Sequence, residues 1–317
     1  MKNKLLLFVL FVFFGVFTSN SQITITLRKS FIDSFKNQLT TGADYEIYFA
    51  HPHPNQAKND GDLHFAGFDK KIGLPMVAEI MNAKEFGNAV DEVHAFEGKG
   101  KPQRKAKLTG VWRLWCEHPG GIDEFVQGGF KQKDLASIIE NTNPPHVFEV
   151  HPVTKIGSID VSGSIHKIDG YTYKTAEDAF DRYSNLKCKL KNNPKTVTIE
   201  TNTIGFNYVD FWIQLKDTSM FIVPDGLFVF CSIFNSDFNP EEGDEEKLIH
   251  HKLRVAFVKG TDVYEKVKRM HKGDFLHISG IPRINLNLIA WRAANAKTRP
   301  EVLQWNLPFE MIAVGEL

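Results

Sequence analysis

Three apolar stretches that alternate like β-strands each carry isolated ionisable side chains. The first places Asp62 and His64 on one face, with apolar neighbours on the other. The second holds Glu79 as its only charge, and the third places Glu149 and His151 on one face. Because a carboxylate buried without a partner is costly, we expect a cation or a hydrogen-bond donor to meet Glu79. The sequence therefore predicts a polar site where these strands converge.

Histidine and carboxylate side chains gathered at one point allow two kinds of chemistry. They can bind a divalent metal ion, with Asp62, His64 and His151 as candidate ligands, or transfer protons, with Glu79 and Glu149 as candidate catalytic bases. A metal-dependent hydrolase, for example a phosphodiesterase or nuclease, would use both. The same residues could instead pair with one another and hold the strands in register, or bind a ligand without chemistry. A divalent metal is therefore a candidate cofactor.

Residues 98–105 form a basic segment with two glycines and a proline, which is typical of a mobile surface loop. Its cations are Lys99, Lys101, Arg104 and Lys105. Such a loop is either simply solvated or able to close over a polyanion. These four side chains are candidate ligand-binding residues.

Two tryptophans lie on the strand that follows this loop. Trp112 and Trp115 are three positions apart, so strict alternation places their side chains on opposite faces. We expect one in the core and the other exposed, where a ring beside a basic loop could stack on a sugar or a base. Both are candidate ligand-binding residues.

The composition is that of an ordinary globular protein. The chain has 317 residues, 42% hydrophobic and 24% charged, with 38 basic and 38 acidic residues. This balance argues against a grip on nucleic acid by the whole surface, although a local patch could still bind phosphate. The easily recognised motifs of nucleotide-binding proteins, zinc peptidases and serine hydrolases are absent. The three cysteines, Cys116, Cys188 and Cys231, allow at most one internal disulfide, and we expect buried thiols.

The first 21 residues have the order of a secretory signal. Lys2 and Lys4 precede an apolar run over residues 5–17, and small residues end at Ser21. The run is shorter than the roughly 20 residues that span a bilayer. We therefore expect export to the periplasm or medium after cleavage near Ser21, without membrane insertion. The mature chain would carry 36 basic and 38 acidic residues, a net charge of −2.

Turn signals divide the chain into two β-rich halves. Each half shows about five strands and a helix, and a small, polar stretch after residue 157 separates them. The predicted domains are residues 22–157, which carry the candidate polar site, and residues 158–317. In the second half, Thr175 is predicted to cap a helix, and residues 285–291 are predicted to form a last strand.

Residues 272–283 read Lys-Gly-Asp-Phe-Leu-His-Ile-Ser-Gly-Ile-Pro-Arg. This order of polar turn, strand and bend at glycine resembles a phrase common in OB-fold-like β-barrel proteins, whose count of strands and helices is also similar. The resemblance implies a mainly β fold with a few helices (α+β), built as two OB-fold-like β-barrel domains in tandem. One OB-fold class, the staphylococcal-type nucleases, uses carboxylates, calcium and arginines around a phosphate. The first half offers Arg104 and Arg113 as nearby arginines, without that family's motif.

We interpret the chain as an exported two-domain protein that binds an extracellular polymer, an oligosaccharide or a nucleic acid. The binding face would lie on a barrel near His64, Glu79, Glu149 and His151. The alternative hypothesis is the metal-dependent hydrolase. The two differ in geometry, because a hydrolase needs these side chains around one point, whereas a polymer-binding face needs an exposed aromatic ring.

Overall fold

The computed structural model describes residues 22–102, 104–118, 124–126, 137–216, 220–243 and 245–317. The predicted signal, residues 1–21, lies outside these segments, so export and cleavage near Ser21 stay predictions. None of the helices in the described segments is both long enough and apolar enough to cross a bilayer. The described chain is mainly β, with five α-helices.

Strands and helices are numbered along the chain. The strands are β1 (Gln22–Arg28), β2 (Thr40–Ala50), β3 (Leu63–Phe68), β4 (Pro75–Ile80), β5 (Ala106–His118), β6 (Glu124–Val126), β7 (His146–Ile156), β8 (Ile159–Asp160), β9 (Lys174–Thr175), β10 (Cys188–Asn192), β11 (Thr196–Asn202), β12 (Val209–Leu215), β13 (Phe221–Val223), β14 (Gly226–Phe234), β15 (Leu248–Val258), β16 (Phe275–Ile284) and β17 (Phe309–Glu316). The helices are α1 (Lys29–Phe35), α2 (Gly87–Phe96), α3 (Ala176–Asn185), α4 (Asp262–Val267) and α5 (Leu286–Asn295). Short 3-10 helices cover Ala57–Asn59, Ala83–Glu85, Ser162–Ser164, Glu245–Lys247 and Pro300–Gln304.

Five strands of the first half close into a barrel, which we call the first ring. β2 pairs with β3 and β5, β3 pairs with β4, and β5 pairs with β7, all antiparallel. Parallel pairing of β4 with β7 closes the ring. The helix α2 lies between β4 and β5. A closed five-stranded barrel is the architecture that the OB-fold resemblance implied, and this expectation is confirmed.

The strands after residue 208 repeat this order of pairings. β12 pairs with β14 and β16, β14 pairs with β15, and β16 pairs with β17, all antiparallel. β15 and β17 pair in parallel. The helix α4 lies between β15 and β16, as α2 lies between β4 and β5. We call these five strands the second ring, and β9 and β13 extend its sheet at the two edges.

A separate four-stranded sheet of β1, β6, β10 and β11 joins the two predicted halves. β1 pairs antiparallel with β11 along its whole length, from Gln22 opposite Asn202 to Arg28 opposite Thr196. Strands from both sides of residue 157 therefore share this sheet. The division into residues 22–157 and 158–317 stays a prediction.

Helix starts follow the capping chemistry of the sequence, with one correction. Thr175 caps α3 as predicted, because its hydroxyl accepts from the Asp178 backbone N–H. The strand predicted over residues 285–291 is wrong, since this stretch opens α5. The Asn285 side chain accepts from the Leu288 N–H and so caps a helix. A short apolar run does not by itself distinguish a strand from a buried helical segment.

The two rings pack directly against each other through an apolar layer. Val111 of the first ring shares one buried cluster with Phe228, Ile281 and Ile312 of the second ring. Part of the outer surface of the first ring is therefore interior to the molecule. Any polar side chain on that surface must find its partners inside the protein.

All three cysteines are buried, as predicted. Burial raises the pKa of the Cys116 thiol to about 12. A thiol that stays protonated at neutral pH is a poor nucleophile, so Cys116 has a packing role.

Candidate functional sites

Strand register brings the predicted polar residues of the first ring together. β3 and β4 pair with His64 opposite Glu79. In the parallel pair of β4 and β7, Ala78 lies opposite Val150, so the next residues along the two strands, Glu79 and His151, are neighbours. The convergence of three polar strands that the sequence predicted is therefore present.

Alternation separates the two faces of these strands. Leu63, Phe65, Phe148 and Val150 belong to the main apolar core, on the side opposite the polar residues, as the period-two pattern predicted. The polar side chains project from the outer face of the first ring, where the second half packs.

The second half covers most of the polar cluster and leaves His64 partly exposed. The Tyr208 hydroxyl lies 2.8 Å from His151 Nε2, and the Pro282 carbonyl accepts from Arg113 Nε at 2.9 Å. Glu149 is 3% exposed and His151 is fully buried. A polymer cannot reach Glu149 or His151, so the part of the predicted binding face that these two residues form is not available at the surface.

His151 stands at the centre of the cluster. Its Nδ1 lies 3.2 Å from Glu79 Oε2, and its Nε2 lies 3.6 Å from Asp62 Oδ2. The Tyr208 hydroxyl donates to the same Asp62 oxygen. Two carboxylates therefore flank one imidazole, each on the side of a different ring nitrogen.

Glu149 has cations of its own. Arg113 Nη1 donates to Glu149 Oε2 at 2.5 Å, and His146 Nε2 lies 3.0 Å from Oε1. Burial alone would raise the pKa of Glu149, but Arg113 and His146 hold it well below its usual range. The other Arg113 nitrogens donate to Glu117 and to the Pro282 carbonyl. Glu149 is thus an ion-pair partner and a weak base, and Arg113 is not free to bind a phosphate as a nuclease arginine would.

Electrostatic interactions link the remaining ionisable groups. Burial would lower the pKa of His151, but Glu79, Glu149 and Asp62 raise it to about 9. Burial raises the pKa of Asp62 well above its usual range, against the attraction of His151. Burial would also raise the pKa of Glu79, but His151 and His64 lower it. At neutral pH a charged His151 therefore faces an ionised Glu79.

Three buried polar atoms of the cluster have no hydrogen-bond partner, namely His64 Nε2, His151 Nδ1 and Asp62 Oδ1. His64 Nε2 is 3.8 Å from Glu79 Oε2, which is too long for a hydrogen bond. Two sets of possible ligand atoms each lie within 4.8 Å of one another: one from Asp62, Glu79 and His151, and one from Asp60, Asp62 and His64. Of the predicted metal ligands, Asp62 belongs to both sets, whereas His64 and His151 fall in different ones, His64 with Asp60 and His151 with Glu79.

Sequence reasoning missed the partners that complete this cluster. Arg113 is the single charge in the apolar run over residues 111–116 of β5. The same argument that predicts a partner for Glu79 therefore predicts one for Arg113. Tyr208 lies in the second half, just before β12, and no local pattern connects it with His151.

The predicted basic loop is a loop, between α2 and β5. The Arg104 guanidinium lies 4.7 Å from the centre of the Phe96 ring, and Lys105 Nζ lies 3.4 Å from Glu46 Oε1. Two of its four cations therefore already have partners on α2 and β2. A grip on a polyanion would depend on Lys99 and Lys101, and it stays a prediction.

Neither predicted stacking tryptophan is exposed. Trp112 is fully buried beneath the Arg283 guanidinium, 3.9 Å from its ring centre, and Trp115 packs edge-on against Tyr183 at 5.4 Å. The expectation of one exposed ring is wrong because β5 is covered on both faces, on one by the interior of the first ring and on the other by the second half. Alternation assigns faces, but only the packing of other elements decides which faces meet water.

An open cleft on the second ring was not predicted. Its volume is about 680 Å³. Phe221 on β13 and Phe230 on β14 line it and are 52% and 45% exposed. All large hydrophobic side chains that are exposed in the described segments lie in the second half: Phe221, Ile222, Phe230, Leu288, Trp291 and Trp305. Three of these side chains, Phe221, Phe230 and Leu288, line the cleft.

The cations of the cleft lining are Lys252 and Arg254. Lys252 Nζ lies 4.7 Å from the centre of the Phe230 ring. The Arg254 guanidinium lies 3.5 Å from the centre of the Phe228 ring, and its Nη1 is 3.2 Å from Oε2 of Glu310, a carboxylate that also pairs with Arg283. Amide groups complete the lining, from Asn37, Asn285 and Asn287.

No family model matches the chain. No curated protein matches it. Among solved structures, a deletion variant of the single-stranded DNA-binding protein from Thermus aquaticus is similar over 77% of this chain and 85% of its own, with 12% identity and a TM-score of 0.18. A likeness this weak carries no weight for function, and the barrel assignment depends on the strand pairings.

Proposed function

We propose that the chain binds an extracellular polymer and that the cleft of the second ring takes an oligosaccharide. The observation that carries this proposal is the pair of exposed aromatic rings, Phe221 and Phe230, that line an open cleft. An aromatic ring offers a large rigid apolar face at small entropic cost, which suits the apolar face of a sugar ring. The polymer would thus meet the second ring, and not the sealed cluster of the first.

The small number of cations around the cleft favours a neutral polymer over a nucleic acid. Its described lining has two, Lys252 and Arg254, and Arg254 shares Glu310 with Arg283. Arg299, beside the exposed tryptophans, is 3.2 Å from Glu301. Nucleic-acid sites draw most of their affinity from several cations that contact phosphates. Asparagine amides both donate and accept hydrogen bonds, which suits sugar hydroxyls.

The proposal includes the fold of both halves. Because the second ring has the pairings of the first, we propose two OB-fold-like barrels in tandem, divided near residue 157. The cleft then lies on β14 and β15, the second and third strands of its barrel. OB-folds bind oligosaccharides and oligonucleotides on this face.

Export belongs to the same proposal, since an extracellular polymer requires a protein outside the cell. We propose that residues 1–21 are removed and that the mature protein is periplasmic or secreted. Intact-mass measurement on protein from the periplasm or medium should give a chain that begins at Gln22. Recovery of the uncleaved chain from the cytoplasm alone would contradict this part.

Glycan-array screening followed by calorimetry tests the binding proposal. Phe221→Ala and Phe230→Ala should each weaken binding of an array hit about 30-fold, since a stacked aromatic anchor contributes roughly 2 kcal/mol. Ile222→Ala is the matched control, because Ile222 is 69% exposed on the same strand but does not line the cleft.

Two results would overturn the proposal. An equal loss of glycan affinity in Ile222→Ala would show that the substitutions disturb β13 and do not remove a contact in the cleft. Binding of single-stranded DNA that weakens steeply with salt, without any glycan hit, would replace the oligosaccharide by a nucleic acid.

A further inference from the structure

We propose that Asp62, Glu79 and His151 bind a divalent transition-metal ion on the sealed face of the first ring, at a site separate from the cleft. One ligand atom from each residue lies within 4.8 Å of the other two. Ligands at 2.0–2.2 Å from a tetrahedral ion are roughly 3.3–3.6 Å apart. The 3.2 Å between His151 Nδ1 and Glu79 Oε2 is already close to that spacing.

Unpartnered atoms at this point give independent support. Asp62 Oδ1 has no hydrogen-bond partner, although Asp62 is 1% exposed. His151 Nδ1, on a fully buried ring, lies 3.2 Å from a Glu79 oxygen and 3.6 Å from a Glu149 oxygen without a well-formed hydrogen bond. A buried polar atom left unsatisfied costs free energy, and native proteins contain few of them. A metal ion among these residues would provide a partner for a buried atom that the protein leaves without one.

The other nitrogen of His151 is held as a metal ligand requires. Metal-binding histidines almost always hydrogen-bond through the ring nitrogen that does not touch the ion. In this cluster His151 Nε2 lies 2.8 Å from the Tyr208 hydroxyl, which in turn donates to Asp62. Tyr208 is thus a positioning residue that would orient the imidazole and one carboxylate together.

Charge balance also favours a cation. Arg113 and His146 neutralise Glu149, which leaves Asp62 and Glu79 with His151 as their nearest cationic partner. If the imidazole binds neutral, two carboxylates remain buried, and one divalent ion balances them.

The donor set indicates the class of metal. Two carboxylates and one imidazole, without thiolate, suit Zn²⁺ or Mn²⁺ better than Ca²⁺ or Mg²⁺, which take oxygen ligands. Asp60 and His64 are partly exposed beside Asp62 and provide an entry path. Because Arg113 is engaged by Glu149 and Glu117, the proposal is metal binding and includes no hydrolytic step.

Metal analysis of the full chain tests this inference. After chelation, reloading with Zn²⁺ or Mn²⁺ and removal of free ion, elemental analysis should give about one ion per chain. The melting temperature should rise by roughly 4 °C at a hundred-fold excess of metal over its Kd. Glu79→Gln should weaken Kd at least about 100-fold, since loss of a ligand exceeds the 10–100-fold cost of losing an outer-shell partner.

Glu117→Gln is the matched control, because it makes the same change on a half-buried carboxylate that contacts Arg113 and lies outside the ligand set. It should bind metal as the unmodified chain does. If Glu79→Gln fails to fold, X-ray absorption on the unmodified chain with Zn²⁺ decides instead, and scattering from an imidazole ligand is expected. The inference would be overturned if the chain bound neither ion or if Glu79→Gln bound metal with unchanged affinity. It would also be overturned if X-ray absorption showed no imidazole among the ligands of the bound Zn²⁺.

Discussion

The two rings share one order of strand pairings and differ in what their side chains meet. On the first ring, His64, Glu79 and Glu149 project from a face that the second half covers. On the second ring, Phe221 and Phe230 project into an open cleft. Charged side chains are usually exposed and large aromatic side chains are usually buried. Here most charged groups on this face of the first ring are buried, and two aromatic rings of the second ring are exposed.

This difference shows that the order of strands does not decide the chemistry of a face. A charged face becomes a network of pairs when another domain packs on it, because each buried charge needs a partner. An aromatic face stays a binding surface only while nothing covers it. The same architecture therefore supports a buried polar centre on one ring and an open aromatic cleft on the other.

The largest effect is expected from breaking the sealed network. Arg113→Met would leave Glu149 and Glu117 without their shared cation and should lower the free energy of unfolding by about 3–5 kcal/mol. Urea denaturation measures it. Arg104→Met, on the exposed loop, is the control and should change stability by less than about 0.5 kcal/mol. If the two variants lost similar free energies of unfolding, the buried carboxylates would not depend on Arg113 for the stability of the fold.

The second prediction concerns pH and is measured with chelator present. The pKa of His151 is about 9 in the folded chain, against the ordinary value of 6.5, because Glu79, Glu149 and Asp62 outweigh burial. A raised pKa stabilises the fold fully below pH 6.5, and this contribution is lost as pH rises towards 9. The free energy of unfolding should therefore fall by about 3 kcal/mol between pH 6 and pH 9.5. A His151→Gln variant with the same fall would assign it to other groups.

A smaller loss of stability is expected from removing the contact that Tyr208 of the second half makes with the polar cluster. Tyr208→Phe removes the hydroxyl that contacts both His151 and Asp62. Leaving these buried atoms unsatisfied should cost about 1–3 kcal/mol in urea denaturation. Unchanged stability would indicate that water takes the place of the hydroxyl, and the seal would then be incomplete.

The smallest effect is expected on the open ring. Phe221→Ala removes a side chain that is 52% exposed, so its free energy of unfolding should change by less than about 1 kcal/mol. Thermal and urea denaturation of this variant, set beside Arg113→Met, measure the contrast between the rings directly. A loss as large as that of Arg113→Met would show that the cleft is part of the core.

Much of the first ring could be predicted because its signals are local. Alternation placed Leu63 and Phe65 inside and His64 outside, and the single charge at Glu79 pointed to a buried partner. The sequence of residues 285–291 favours a strand because its apolar run is short, although Asn285 at its start is a residue typical of a helix cap. The helix α2 was not predicted either.

The partners of the polar cluster could not be found in the same way. Tyr208 and Pro282 reach the first ring from far along the chain, so no local pattern links them to His151 and Arg113. The exposure of Phe221 and the burial of Trp112 have the same origin, since both depend on which element packs over a strand.

By itself the sequence determined which residues share a strand face, because the two-residue period of a strand is a property of the local backbone. It also determined that the isolated carboxylates must find partners. Only the tertiary structure decided which faces are covered, and with them the partners of Glu79 and Glu149 and the open cleft. Coverage depends on contacts between residues distant in the chain, and a pattern of neighbouring residues carries no record of those contacts.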